Sequence, residues 1–296
     1  MPTSTVDLHM HSSVSYDGEH SPKELISLCR EAGLQTVAIA DHNNAAGVGE
    51  AVMWGQEYGV EVIPAIELDC IFQEHHLHLL GYFIRHDDPI FQKIYEDVLV
   101  IERNAVEDRI VKIESLGFYV NRKKLMELSR DGTINNPMIL KAMLFEPENQ
   151  HNEALDPYRP NGARSDEPFY NFYRDLCAHG KPGHAQIPYM SMEEAVRVIK
   201  EQGGVPALAH PGHNIKADAR VLEDIIRVGV LGVEAYSNYH TVEQVRFYEQ
   251  EAKRLGVVPT CGSDYHGKIK PKIELGGCFC SNREQEILTQ LKALAL

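Results

Sequence analysis

Polar and apolar positions alternate over Asp7-Leu8-His9-Met10-His11, the period of a strand with one buried face. Asp7, His9 and His11 then share one face, and Leu8 and Met10 the other. A loop from Ser13 to Ser21 holds Asp17-Gly18. Pro22 opens an amphipathic helix to about Ala32, with Ser21 as N-cap and Glu24 three residues on. Thr36 to Ala40 reads as a buried strand ending in Asp41-His42-Asn43-Asn44, and a helix from about Ala45 to Tyr58 follows. Glu61 to Cys70 predicts a third strand carrying Glu67. His75 to Phe83 predicts a fourth, carrying His76 and His78. Strands and helices alternating at this spacing predict parallel βα units.

The rhythm then breaks. From about Pro89 to Ser115, apolar residues at helical spacing predict one long helix. Shorter helices are expected over 122–130, 137–145 and 168–178, with a polar, proline-bearing loop over 147–166. The βα rhythm resumes at Ser191, with a helix to about Gln202 and a strand Val205 to Ala209 running into His210-Pro211-Gly212. A helix over 217–228, a strand over 231–235, a helix over 241–255 and a strand over 257–261 lead into Gly262-Ser263-Asp264-Tyr265-His266. A short strand near 277–280 and a helix over 283–293 close the pattern. The expected organisation is an α/β barrel from residues 1–84 and 190–296. A helical insertion over 85–189 is expected to cap the barrel mouth and shape a substrate pocket.

Composition narrows the function. With 43% hydrophobic and 24% charged residues over 296 positions, the chain reads as an ordinary globular protein with one large core. A formal charge of −14 argues against holding long nucleic acid by phosphate neutralisation, yet leaves open a small anion bound through metal ions. No apolar run approaches the roughly 18–20 residues that span a bilayer. Met1-Pro2-Thr3-Ser4 leads into the first strand without a basic segment and an apolar run. No membrane association and a cytoplasmic location are therefore expected. The six cysteines show no CxxC pair, as for reduced thiols.

The informative residues are His9, His11, His42, Glu67, His78, His210, Asp264 and His266, each at or near the end of an expected strand, with Asp17 in the first loop. Barrels of βα units build their active sites at the C-terminal ends of the strands. Mixed imidazole and carboxylate ligands suit manganese, iron or zinc.

The set Asp7-Leu8-His9-Met10-His11-Ser12, Asp17-Gly18, Ala40-Asp41-His42-Asn43, Glu67, His78, Ala209-His210-Pro211-Gly212 and Gly262 to His266 resembles the polymerase and histidinol phosphatase (PHP) family. The order matches across nearly the whole chain apart from the inserted helices. The resemblance implies a distorted seven-stranded (β/α)7 barrel with an inserted helical cap, holding three divalent ions and hydrolysing phosphate esters. It implies that His9, His11, Glu67 and Asp264 hold one metal. Glu67 bridges to a second, bound also by His78 and His210, and Asp17, His42 and His266 hold a third. Asp7 and Asp41 are candidates to orient ligand imidazoles, while His76 is expected to be a neighbour without a metal. A water between two cations loses its proton near neutral pH, which gives a metal-activated hydroxide as nucleophile. His240 or His213 is the candidate acid for the leaving oxygen.

Substrate recognition departs from related monophosphatases, which carry Arg and His where this chain has Asn136 and Met138, and Arg where it has His213. A dianionic monoester benefits from a bidentate Arg. Its loss favours a singly charged diester. Arg159, Arg164 and Lys181 offer cations on insertion loops. The composition of the insertion resembles family members that open a five-membered cyclic phosphate on phosphorylated ribose, such as phosphoribosyl 1,2-cyclic phosphate. Rival readings are a nucleotide or sugar phosphomonoesterase, a 3′-5′ exonuclease on short oligonucleotides, an amide-hydrolysing barrel and a non-catalytic metal-stabilised module. A small phosphorylated substrate is the expected partner; no oligomeric state follows.

Overall fold

A computed structural model describes residues 4–129, 131–280 and 282–295. The helix expected to reach Arg130 spans Arg122–Leu128, and Arg130 itself lies outside the described residues. Nine strands are present among the described residues: β1 Val6–Met10, β2 Thr36–Ile39, β3 Glu61–Val62, β4 Ala65–Phe72, β5 His75–Tyr82, β6 Met190–Ser191, β7 Val205–Leu208, β8 Gly232–Ser237 and β9 Val258–Gly262. The single expected strand over 61–70 is split into β3 and β4. Pro64 lies between them and has no N–H to give to a ladder.

The strands form two sheets. One is parallel, in the order β1-β2-β3, and the other is mixed, in the order β6-β4-β5-β7-β8-β9. Isolated bridges Met10 to Tyr265 and His42 to Glu67 link them. The fold is α/β with helices on a mixed sheet. No continuous seven-stranded ladder forms among the described residues, where only the two bridges join the sheets. The expected parallel βα pairing does not extend to β5, which runs antiparallel to both β4 and β7. Only Gln73 and Glu74 separate β4 from β5, far too few residues for a parallel crossover. Gln73, at φ 54°, takes the left-handed turn.

Two compact units result, residues 4–95 with 189–295, and 96–188. In the first, the helix Pro22–Glu31 packs Leu25, Ile26 and Cys29 against Met10, Val37 and Ile39. Its Ser21–Glu24 capping box is fully formed. The next helix begins at Val48 rather than Ala45, since Asn44 Oδ1 takes the Ala46 N–H in a turn. Residues 277–280 form no strand: Gly277 N is bonded to Glu274 O in a turn, and Gly276 N to Asp7.

In the second unit, Ile113, Leu125, Ile139, Leu140, Met143 and Phe172 make a separate core. The expected long helix is two, Pro89–Asn104 and Val106–Glu114, although i→i−4 bonding continues on both sides of Ala105. Two 3₁₀ turns, Pro147–Asn149 and Glu153–Tyr158, occupy part of the expected loop. The helix over 168–178 is a short α-helix, Pro168–Phe172, that passes into a π-turn, Tyr173–Cys177.

Candidate metal centre

All nine proposed ligands fall in the first unit. His9 and His11 leave β1 on the same face, as strand parity requires. Glu67 is the third residue of β4 and His78 sits inside β5 opposite Asp69, so neither follows the rule of C-terminal strand ends. The antiparallel hairpin delivers them instead: Glu67 is bridged to His42, and the end of β7 lies beside His78 through Ala209 N to His78 O at 3.0 Å.

Three overlapping ligand groups result, each with its donor atoms within 4.8 Å of one another: His9, His11, Glu67 and Asp264; Glu67, His78 and His210; and His11, Asp17, His42 and His266. The last differs from the expected third set by including His11. A further group, His42, Asp69 and His78, brings in Asp69, which sequence reasoning did not single out. Glu67 is shared: Oε2 lies 3.2 Å from His9 Nε2 and 3.1 Å from His11 Nε2, while Oε1 lies 3.0 Å from His78 Nδ1 and 3.1 Å from His210 Nε2.

The backbone is bent to make these approaches. His210 and Asp264 adopt φ of 25° and 59°, a costly region for residues with a Cβ and one that clusters at functional sites. Gly262 must be glycine, since a Cβ there would overlap His9 Cβ and Glu234 Oε1. A Cβ at Gly18, beside Asp17, would overlap the Ser12 carbonyl.

The electrostatics fit cations. Burial favours a neutral Glu67, yet His9, His78 and His42 outweigh it and hold the carboxyl well below its usual range. Asp17 behaves likewise beside His266 and His42, and so does Asp264 beside Lys270, His266 and His9. His11 is pushed down to about 4 by burial and by its neighbours His266 and His42. Asp17 Oδ1, His42 Nδ1, Glu67 Oε2, His210 Nδ1 and His266 Nε2 are buried with no hydrogen-bond partner. Orphaned atoms of this kind are rare in folded proteins and call for an ion or water. The donor set therefore fits divalent cations.

The residues that orient the imidazoles are not those expected. Asp7 accepts from the backbone N–H groups of His9, Ser263 and Gly276, and Asp41 from Ser12; neither touches a ligand ring. The carboxylate that holds His9 is Glu234, fully buried on β8, with Oε1 3.0 Å from His9 Nδ1 and Oε2 accepting from His210 N at 2.8 Å. This fixes the tautomer with Nε2 turned toward Glu67 and Asp264. His266 Nδ1 similarly donates to Asp264 O at 2.8 Å. A lone charge inside the apolar strand over 231–235 was the available signal for Glu234.

His240 is corrected as a proton donor: Nδ1 donates to Ala235 O at 2.8 Å and Nε2 accepts from Gly212 N at 2.9 Å, so both ring nitrogens tie the turn after β7 to β8. His213 is half-buried, with its ring 5.9 Å from that of His210 and 4.9 Å from that of Tyr239. His76 belongs to none of the ligand groups; its Nε2 lies 2.7 Å from Asp69 Oδ1. Asn136, Arg159, Arg164 and Lys181 belong to the second unit. There Arg159 bonds Asp156 and the carbonyls of Asn149 and Gln150, Arg164 grips Asp175 through two nitrogens, and Lys181 is exposed. The six cysteines are free and buried.

Fold and site together define a metal-dependent hydrolase with an imidazole and carboxylate cluster. The PHP domain model matches residues 7–155, and the chain belongs to that family of metal-dependent phosphoesterases. It is 29% identical over 267 residues to the phosphoribosyl 1,2-cyclic phosphate 1,2-diphosphodiesterase of Eggerthella lenta, covering 89% of this chain and 94% of that protein. It is 24% identical over 267 residues to the 3′,5′-nucleoside bisphosphate phosphatase of Chromobacterium violaceum, covering 88% and 87%. A 5′-3′ exoribonuclease of Haemophilus influenzae is 24% identical over 270 residues, covering 89% and 90%. A relative named as an exoribonuclease is not fully consistent with the expectation of no long nucleic acid. Among solved structures, an amidohydrolase from Chromobacterium violaceum with bound sulfate superposes with a TM-score of 0.74 at 21% identity, over 97% of each chain, and shares the fold. No helix among the described residues is long and apolar enough to cross a membrane.

Proposed function

We propose that the protein hydrolyses a cyclic phosphodiester of a small phosphorylated sugar, of the kind named for the Eggerthella lenta relative, using three divalent ions. The observation that carries this reading is the set of overlapping ligand groups sharing Glu67 and His11, with His213 where related monophosphatases have Arg. A diester bears one negative charge at the reacting phosphorus, so it needs less fixed positive charge than a monoester.

His9, His11, Glu67 and Asp264 would hold the first ion, Glu67, His78 and His210 the second, and Asp17, His42 and His266 the third. Divalent ions there supply Lewis acidity to phosphate oxygens and lower the pKa of water. The chain's own part is to hold the ligands. Glu234 holds the His9 Nδ1 proton and so aims Nε2 at Glu67 and Asp264, and Glu67 presents one oxygen to each of two groups. His213, beside His210, is assigned to hold the proton that the leaving oxygen takes. Manganese-loaded protein should hydrolyse a five-membered cyclic ribose phosphate at a kcat/KM well above that for AMP, histidinol phosphate or a short oligoribonucleotide. A higher value for any of the last three overturns the proposal.

A further inference from the structure

Asp264 is surrounded on both of its oxygens. Oδ1 faces His9 Nε2 at 3.3 Å and His11 Nε2 at 3.1 Å, the side of the ligand cluster. Oδ2 points the other way and accepts from the Tyr239 hydroxyl at 2.5 Å and the Lys270 ammonium at 2.6 Å. The two donors are neighbours in their own right, with Lys270 Nζ 5.5 Å from the Tyr239 ring centre. Lys270 is mostly buried, its side chain 19% exposed, so the pair is weakly screened. Tyr239 also abuts His210 and His213, at ring separations of 5.6 and 4.9 Å.

We propose that Lys270 and Tyr239 are positioning residues that restrict Asp264 to coordination through Oδ1 and withdraw charge from it, lowering metal affinity in exchange for turnover. This rests on the reading of Asp264 as a metal ligand. With Oδ2 covered by a hydroxyl and an ammonium, the carboxylate cannot turn to offer both oxygens to one ion. A fixed positive charge beside the ligand also opposes the incoming cation. The same charge leaves the ion more electron-poor toward a phosphate oxygen. A purely structural lysine has no such opposed effects.

The test compares the wild type with Lys270→Met and Lys270→Arg, loaded with manganese. Metal affinity is read without substrate, by competition with a chromogenic chelator, and kcat and KM are measured on bis(p-nitrophenyl) phosphate. The Met variant should bind its manganese about tenfold more tightly while kcat falls about 10- to 100-fold, the range typical of groups that support metal ligands. The Arg variant should stay near wild type in both. If the Met variant does not fold, Lys270→Gln removes the same charge. Equal or weaker metal binding in the charge-removed variant overturns the inference, and so does a loss confined to KM, which would make Lys270 a substrate contact. A wild-type protein that takes up no divalent ion would sink the metal-centre reading itself, whereas wild-type loading with an unaltered variant sinks this inference alone.

Discussion

Glu234→Gln probes the candidate metal centre from behind. The wild-type carboxylate accepts two N–H bonds through different oxygens, from His9 Nδ1 at 3.0 Å and from His210 N at 2.8 Å, and is fully buried. Glutamine keeps the shape but has one accepting oxygen, and its NH₂ must face one of the two donors. One charge-assisted bond is therefore lost and His9 loses the partner that fixes its tautomer. Such a bond contributes about 1.5–3 kcal/mol. At about 1.4 kcal/mol per factor of ten, that is roughly a 10- to 100-fold loss. Metal retained after dialysis against a graded chelator series, measured by elemental analysis, and kcat/KM on bis(p-nitrophenyl) phosphate should both fall by this factor. Wild-type metal retention and turnover in a folded Glu234→Gln protein would show that Glu234 does not orient His9.

Three further outcomes follow from the same geometry. His240→Phe leaves the Ala235 carbonyl and Gly212 N–H without their partner, each costing about 1–3 kcal/mol, so thermal melting should drop by several degrees while the rate ratio between poor and good leaving groups stays constant. Burial lowers the His240 pKa, so the unfolded chain takes up the proton first and this residue's contribution is lost as pH falls below about 6.5; urea midpoints of the Phe variant should fall less steeply over that range than those of wild type. Phe172, fully buried against Phe118 and Tyr158, should cost about 3–5 kcal/mol when replaced by Ala, read as a lowered urea midpoint.

The grouping of the candidate ligands was legible because strand parity and motif order act locally. His9 and His11 share a face whatever the rest of the chain does, and Ser21–Glu24 caps its helix within four residues. What failed was long-range. The direction of β5 depends on a two-residue turn, so Glu67 and His78 reach the site from a hairpin and not from strand ends. Asp7 and Asp41 lie beside ligand histidines in sequence, yet they serve backbone and hydroxyl donors. Glu234, which does hold His9, is 225 residues away. Lys270 gave no signal, being a loop lysine whose partner only folding supplies. His240 looked like an acid until its neighbours were seen to be Ala235 O and Gly212 N.

The central claim is that these residues hold three ions. Anomalous diffraction at the manganese edge, from crystals grown with Mn²⁺ and phosphate, tests it most directly. Three peaks are predicted, one within each of the groups His9/His11/Glu67/Asp264, Glu67/His78/His210 and Asp17/His42/His266. Manganese absent from those groups, or bound elsewhere in the chain at full loading, would contradict the account.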